Sequence, residues 1–258
     1  MRPTGVLIAL VLAPTAVLAQ QPERFSLSGQ QVAVFNLAGE VRVERGTGSD
    51  VVVELDRQGA DADRLTVQTG ESNGWRTLRV LYPDDRIVYR RMGRFSRTEF
   101  DVSSDGTFGG RLLRATLGPD GFSLPSSFRL GRGSRVRVTG NGSGLEAYAD
   151  VRVLVPEGRT VAINLGVGRI DVSNVDGHVR VDARSGSVTA SGVDGSLLID
   201  TGSGSVAVSG ARGHVRIDTG SGSVRADGVT DGSLMIDTGS GGVEAAGLEL
   251  TALLIDTG

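Results

Sequence analysis

The chain has 258 residues, enough for one or two modest domains once a short export signal is removed. Glycine accounts for 39 residues and aromatic side chains for only 4% of the chain, which argues against a globular enzyme built around large aromatic anchors. Twenty-seven basic and thirty acidic residues give a net charge of −3, which argues against affinity of the whole protein for nucleic acid or an anionic membrane.

Residues 1–19 have the pattern of a secretory signal peptide. Arg2 precedes an apolar run that extends to Ala13, and small residues lead up to an expected cleavage point after Ala19. The run is shorter than the roughly 20 apolar residues of a membrane-spanning helix, and Pro14 interrupts it. We therefore predict an exported protein without a transmembrane segment, located in the periplasm, at the cell surface or outside the cell.

Cysteine is absent from the sequence. The mature protein therefore has no disulfide framework, no cysteine for lipid attachment and no thiolate metal site.

Residues 20–85 alternate apolar and polar side chains with the two-residue period of strands, separated by Gly, Asp and Asn turn signals. The segments 31–37 and 50–55 are clear examples. We expect this region to be the degenerate start of the structure that the later repeats form.

Residues 86–137 form an arginine-rich insertion. This segment contains eleven arginines and four acidic residues, a net charge of +7. Residues 138–258 contain eight arginines and fifteen acidic residues, a net charge of −7. Guanidinium groups interleaved with aromatic rings can bind phosphates or acidic sugars. The candidate ligand-binding arginines are Arg90, Arg91, Arg94 and Arg97. The alternative is a solvated loop whose charge balances the acidic repeats.

Residues 138–258 contain a unit of 18–19 residues that recurs with matching composition. Its marker carboxylates follow one another at spacings of 18, 18, 19 and 19 residues, and they are Asp182, Asp200, Asp218, Asp237 and Asp256. Apolar residues alternate within each unit and glycine-rich corners separate the short strands. This pattern predicts an all-β fold, a parallel β-solenoid (β-helix) with coils of 18–19 residues and an expected right-handed turn.

Stacked coils place equivalent residues in rows. Four rows are apolar and expected to face inward, for example the row that begins Ile163, Val181, Ile199. An outward row combines arginine with apolar side chains and is a candidate contact surface for the insertion or for a partner. It consists of Arg180, Leu198, Arg216, Met235 and Leu254, and we add Arg180 and Arg216 to the candidate ligand-binding residues.

The sequence ends within a repeat corner, at Gly258. A terminal coil of a solenoid needs a cap. We therefore expect either a longer parent protein or an uncapped coil that makes end-to-end or edge contacts with a partner.

Two motifs suggest chemistry, but the repeat explains both. The sequence Asp-Thr-Gly-Ser at residues 200–203 resembles the active-site loop of aspartic proteases, which require two such aspartates facing each other across a dyad. Here the aspartates recur on consecutive units, so we expect a structural ladder of turn residues rather than a metal site. His178 and His214 share one repeat position about 10 Å apart, too far for one zinc ion. We predict no catalytic residue, metal or cofactor.

The repeats are similar to a bacterial "putative adhesin" family with β-strand repeats, a domain of unknown function. The similarity covers roughly residues 31–82 and 149–258 and is clearest at 150–158, at 168–172 and in the repeated Thr-Gly-Ser-Gly-Ser-Val. The resemblance implies an exported or surface β-solenoid with an adhesive or scaffolding role. Family members commonly have Asp where this chain has Ser187, Ser205, Ser223 and Gly242, which weakens any inferred cation site.

The sequence is compatible with two functions. The first is a non-enzymatic, adhesin-like protein that binds an envelope glycan or protein, or acts as a scaffold, through a rigid sheet face. The alternative is a polysaccharide-cleaving β-helix enzyme, a lyase or hydrolase, which needs non-repeating acids and a basic residue grouped in a groove.

Overall fold

The computed structural model describes residues 22–72, 74–109 and 133–258. The described chain is all-β, with nineteen strands and one short 3₁₀ turn at Ala62–Arg64. The expected signal peptide lies outside the described residues.

The strands preceding the repeats include those of the insertion. They are β1 (Glu23–Leu27), β2 (Gln31–Arg45), β3 (Val51–Gln58), β4 (Thr66–Ser72), β5 (Trp75–Leu81), β6 (Arg86–Val88), β7 (Arg97–Val102), β8 (Ser134–Thr139) and β9 (Tyr148–Val155). Those of the repeats are β10 (Arg159–Ser173), β11 (Gly177–Ser185), β12 (Val188–Ser191), β13 (Leu197–Thr201), β14 (Val206–Ser209), β15 (Val215–Thr219), β16 (Val224–Asp227), β17 (Thr230–Thr238), β18 (Val243–Ala246) and β19 (Glu249–Thr257).

Sixteen strands form one large, mostly parallel sheet. One ladder runs β10-β11-β13-β15-β17-β19, and a second runs β10-β12-β14-β16-β18. Each strand pairs with the equivalent strand of the next unit, so Val181 lies opposite Ile199, which lies opposite Ile217. The 18–19-residue spacing of the sequence is thus the register of the sheet.

The segment before the repeats joins the same sheet through β2. This long strand pairs in parallel with β10 from Gln31 to Glu44, and on its other side with β5 and β9. Beyond β9 the pairing becomes antiparallel, through β3 to β1, and β4 pairs antiparallel with β5. The division into regions 20–85, 86–137 and 138–258 stays a prediction, although these pairings connect the first and the last.

One apolar cluster contains inward residues of both ladders. Alternating side chains place Val, Leu and Ile on one face of each strand, and their burial supplies the main stabilising free energy. The expected inward rows are buried over most of their length; the row of Ile163, for example, is buried through Ile236. At β19 the exposure rises, to 52% for Leu253 and 41% for Ile255.

The described part of the insertion is folded and not merely a solvated loop. Strands β6, β8 and β7 form a separate three-stranded sheet. Its apolar face joins a second cluster with Phe35 and Ala162 on the outer face of β2 and β10. The expectation of a solvated loop is wrong for this part, because Phe100, Val136 and Val138 bury against the large sheet.

Glycine at one corner of each unit allows neighbouring backbones to approach closely. A Cβ atom on Gly186 would lie 1.5 Å from the carbonyl oxygen of Gly168. We expect Gly186→Ala to lower the free energy of unfolding by about 3 kcal/mol, the upper end of the range for overpacking. Gly242→Ala is the control, because no atom lies within 4 Å of its added Cβ. Equal urea midpoints for the two variants would contradict the close approach.

Burial along one inward row predicts a graded cost of truncation. Ile199 is 0% exposed, whereas Ile255 occupies the same row at 41% exposure. We expect Ile199→Ala to cost about 2–5 kcal/mol of unfolding free energy and Ile255→Ala about 1 kcal/mol or less. Urea unfolding followed by circular dichroism measures both. A larger loss of stability for Ile255→Ala than for Ile199→Ala would contradict the decrease in burial along this row.

Candidate functional site

The outward row of the first ladder lies in register as the sequence predicts. Arg180 is opposite Leu198, which is opposite Arg216; Met235 and Leu254 continue the row. Leu198 is buried, whereas Leu254 is 55% exposed. The row presents both guanidinium and apolar groups on one side of the sheet.

The two arginines of this row differ in environment. Arg180 is buried, and burial lowers the pKa of its guanidinium to about 10, an effect that Asp182 and Asp200 partly offset. Arg216 is partly exposed, and its Nη1 lies 3.3 Å from the sulfur of Met235. Arg216 is therefore the arginine of this row that a ligand can reach more readily.

The insertion covers the beginning of the same face. Ala33 and Ala162 precede Arg180 in this row, and both pack in the second cluster with Phe100 of β7. The insertion thus occupies the face at β2 and β10.

The marker aspartates form a second outward row in parallel register. Asp182 and Asp200 are buried, whereas Asp237 and Asp256 are exposed. Arg184 lies 3.5 Å from Asp182. The role of these aspartates in the turns stays a prediction. Among the described residues, no group of three or more His, Cys, Asp or Glu side chains could hold a metal ion.

The two histidines contact serines of the next unit. His178 Nδ1 lies 2.7 Å from Ser196 Oγ, and His214 Nδ1 lies 2.9 Å from Ser233 Oγ. Each contact joins the residues just before the paired positions Val179/Leu197 and Val215/Leu234, as expected for a shared repeat position.

Two candidate arginines of the insertion pair with carboxylates in and just before β9. Arg90 binds Glu146 through two hydrogen bonds of 2.6 Å. Arg91 Nη1 lies 2.9 Å from Asp150 Oδ2, and its guanidinium lies 4.8 Å from the ring centroid of Tyr148. These contacts fasten the insertion to the segment around β9, so ligand binding would have to displace internal partners.

Arg94 and Arg97 occupy different surroundings. Arg94 lies 5.8 Å from the ring centroid of Phe95, a side chain that is 92% exposed. Arg97 starts β7 and donates to Glu99 through Nε at 3.0 Å. The four predicted insertion arginines therefore do not converge on one cleft.

A convergent group of arginines lies on the polar face of the small sheet. Three guanidinium groups approach the carboxylate of Glu99. They belong to Arg97, to Arg137 with Nε at 2.7 Å, and to Arg135 with Nε at 3.3 Å. Hydrogen bonds from Arg97 and Arg137 lower the pKa of Glu99 to about 2.

Arg86 completes this group from the neighbouring strand. It lies opposite Arg137 in the β6–β8 pairing, and both line a cavity of about 320 Å³ with Asp85, Glu99 and Arg135. Sequence reasoning did not select Arg86, Arg135 and Arg137. Their alternation with Ile87, Val136 and Val138 was the available signal.

Another cavity, of about 780 Å³, lies between the β4–β5 hairpin and the small sheet. At its wall, the buried hydroxyl of Tyr82 donates to Asn36 Oδ1 at 2.7 Å, and burial raises the pKa of Tyr82 above its ordinary value. Asn36 in turn donates to the carbonyl oxygens of Ala38 and Ala149. This network ties strand β2 to β9 and has a structural role.

No helix in the described ranges is long and apolar enough to cross a membrane. No protein-family model matches the chain, and no curated protein matches it. A solved structure, titled a "putative cell adhesion protein" from Clostridium sporogenes, aligns over 92% of this chain and 100% of its own. The identity is 11% and the TM-score is 0.39, values too low to support an argument about fold or function.

The arginines around Glu99 predict an unusually acidic carboxyl group. We expect Glu99 to titrate near pH 2 in the intact protein and Arg137→Gln to raise its pKa towards the ordinary value, because one charged donor is lost. A pH titration of the side-chain carboxyl carbon by NMR measures this value. Arg90→Gln is the control, since Arg90 pairs with Glu146 instead. An unchanged titration in Arg137→Gln would contradict the contact.

Proposed function

We propose that this chain is an exported, non-enzymatic, adhesin-like β-solenoid that binds or scaffolds at the cell envelope through a rigid sheet face. The observation that carries the proposal is the in-register parallel pairing of successive 18–19-residue units. It repeats equivalent outward side chains along one surface.

The pairing pattern supports the solenoid. Strand β10 pairs with β11 through its first half and with β12 through its second half, and each later unit repeats both pairings. Isolated bridges link a third position, Asp176 to Asp194 and Asp194 to Arg212. Each unit therefore pairs with the preceding unit at three places. The backbone follows the same path in every unit, as it does in the coils of a solenoid.

The outward row favours binding over a buried catalytic pocket. Arg216 and Met235 are partly exposed and Leu254 is exposed, so one flat surface offers charge-assisted hydrogen bonds together with apolar contact. The signal-peptide pattern of residues 1–19 supports export, and the resemblance of the repeats to adhesin domains supports an adhesive role.

Binding of the mature protein to an array of envelope and host glycans tests this proposal, with released oligosaccharide detected in parallel. We expect retention on at least one glycan class without cleavage. Arg216→Ala should weaken that retention about tenfold, because it removes charge-assisted hydrogen bonds at the face. Arg225→Ala is the matched control, since Arg225 lies on the other ladder and pairs with Glu244 at 2.6 Å.

Each outcome discriminates between the functions. Release of oligosaccharide would overturn the non-enzymatic assignment in favour of the polysaccharide-cleaving alternative. Equal weakening by both variants would overturn the role of the Arg216 face. Absence of glycan binding, followed by failure to retain envelope proteins on the immobilised chain, would overturn the binding role altogether.

A further inference from the structure

The small sheet of the insertion is amphipathic. Strands β6, β8 and β7 turn Ile87, Val136, Val138, Phe100 and Val102 towards the second apolar cluster. Alternation places the intervening side chains on the opposite face. That polar face carries Arg86, Arg97, Glu99, Asp101, Arg135 and Arg137.

Positive charge exceeds negative charge on this face. Four guanidinium groups stand against the two carboxylates of Glu99 and Asp101. Pairing in the sheet brings them together, because Arg137 lies opposite both Arg86 and Glu99, and Arg135 lies opposite Asp101. The excess persists when Asp85 at the edge of the cavity is counted.

The contacts of Glu99 show that this group of arginines can bind a carboxylate. Arg97, Arg135 and Arg137 each place a nitrogen within hydrogen-bonding or ion-pairing reach of Glu99. The arginine side chains remain accessible, with Arg135 71% exposed. Planar guanidinium groups with several donors each can hold two oxyanions at once. The adjoining cavity of about 320 Å³ leaves space for a second anion.

We propose that the polar face of the small sheet, formed by Arg86, Arg97, Arg135 and Arg137, binds the sulfate or carboxylate groups of an acidic polysaccharide. The proposal deepens the proposed function by naming a ligand class, at a site separate from the Arg216 row. Glu99 acts as an internal competitor that occupies part of the arginine donors in the absence of ligand.

The shape of the face favours a polysaccharide over a lipid surface. Surface binding to a bilayer combines apolar side chains buried among the lipids with electrostatic attraction to anionic headgroups, and this face supplies only the electrostatic part. The apolar side chains that β6, β7 and β8 contribute to the second cluster point away from this face; they are Ile87, Phe100, Val102, Val136 and Val138. A chain of spaced anionic groups can instead engage the cavity and the neighbouring exposed arginines together.

The experiment titrates the full mature chain with dextran sulfate by isothermal calorimetry, with neutral dextran as the reference. We expect binding to dextran sulfate alone, weakened by added salt because the contacts are exposed ion pairs. The double variant Arg135→Gln/Arg137→Gln should lose at least about tenfold in affinity. Arg225→Gln, on the other ladder, should bind as the unmodified protein does.

Glu99→Gln should change the affinity for dextran sulfate in the opposite direction. It removes the competing negative charge and frees the arginine donors, so affinity for dextran sulfate should rise severalfold. A face in which Glu99 and the arginines only stabilise the insertion would bind no more tightly after this change. Thermal unfolding of each variant confirms that the fold is retained; if the double variant does not fold, Glu99→Gln alone decides.

The remaining outcomes overturn the proposal. These are equal binding by the double variant, weaker binding by Glu99→Gln, or tighter binding to phosphatidylglycerol vesicles than to dextran sulfate. Loss of this site is distinguishable from failure of the proposed function. If the protein does not bind dextran sulfate but binds an arrayed glycan through Arg216, this ligand class is wrong and the proposed function still holds.

Discussion

The fold depends on the backbone contact between successive units at their glycine corners. Gly186 approaches the carbonyl oxygen of Gly168, and Gly168 approaches that of Gly39 in the same way. A side chain at these positions would push neighbouring strands apart and break the parallel hydrogen bonds on both sides. Because the contact extends back to β2, the same constraint connects the region before the repeats with the repeats themselves.

Once the units are held in register, the alternation of side chains determines what each face contains. The inward face receives small apolar side chains and forms a continuous cluster. The outward face receives rows of like residues, including aspartates that lie directly opposite one another. The insertion adds a different kind of surface, since its charges come from β6 and β7 and from β8, a strand distant in sequence that lies between them.

The sequence was informative where contacts are periodic and uninformative where they are not. The spacing of Asp182, Asp200 and Asp218 predicted the observed register, and the inward row of Ile163 is buried as expected. The small sheet was missed because β6 has only three residues and its partner β8 begins 46 residues later. No local pattern encodes such a pairing, so the arginines were grouped by their neighbours in sequence, whereas Arg137 and Glu99 meet only through the fold.

The change of unit length near Asp231 has a consequence for how the chain finds its register. Where two units are nearly identical, sliding by one whole unit would keep apolar residues inside and glycines at the corners. Ile199 and Ile217 are 18 residues apart, whereas Ile217 and Ile236 are 19 apart. Asp231 accommodates the difference in a left-handed conformation with φ of 59°. A slipped pairing across this point must take up the same extra residue, so the irregular corner at Asp231 has to form whichever two units meet there.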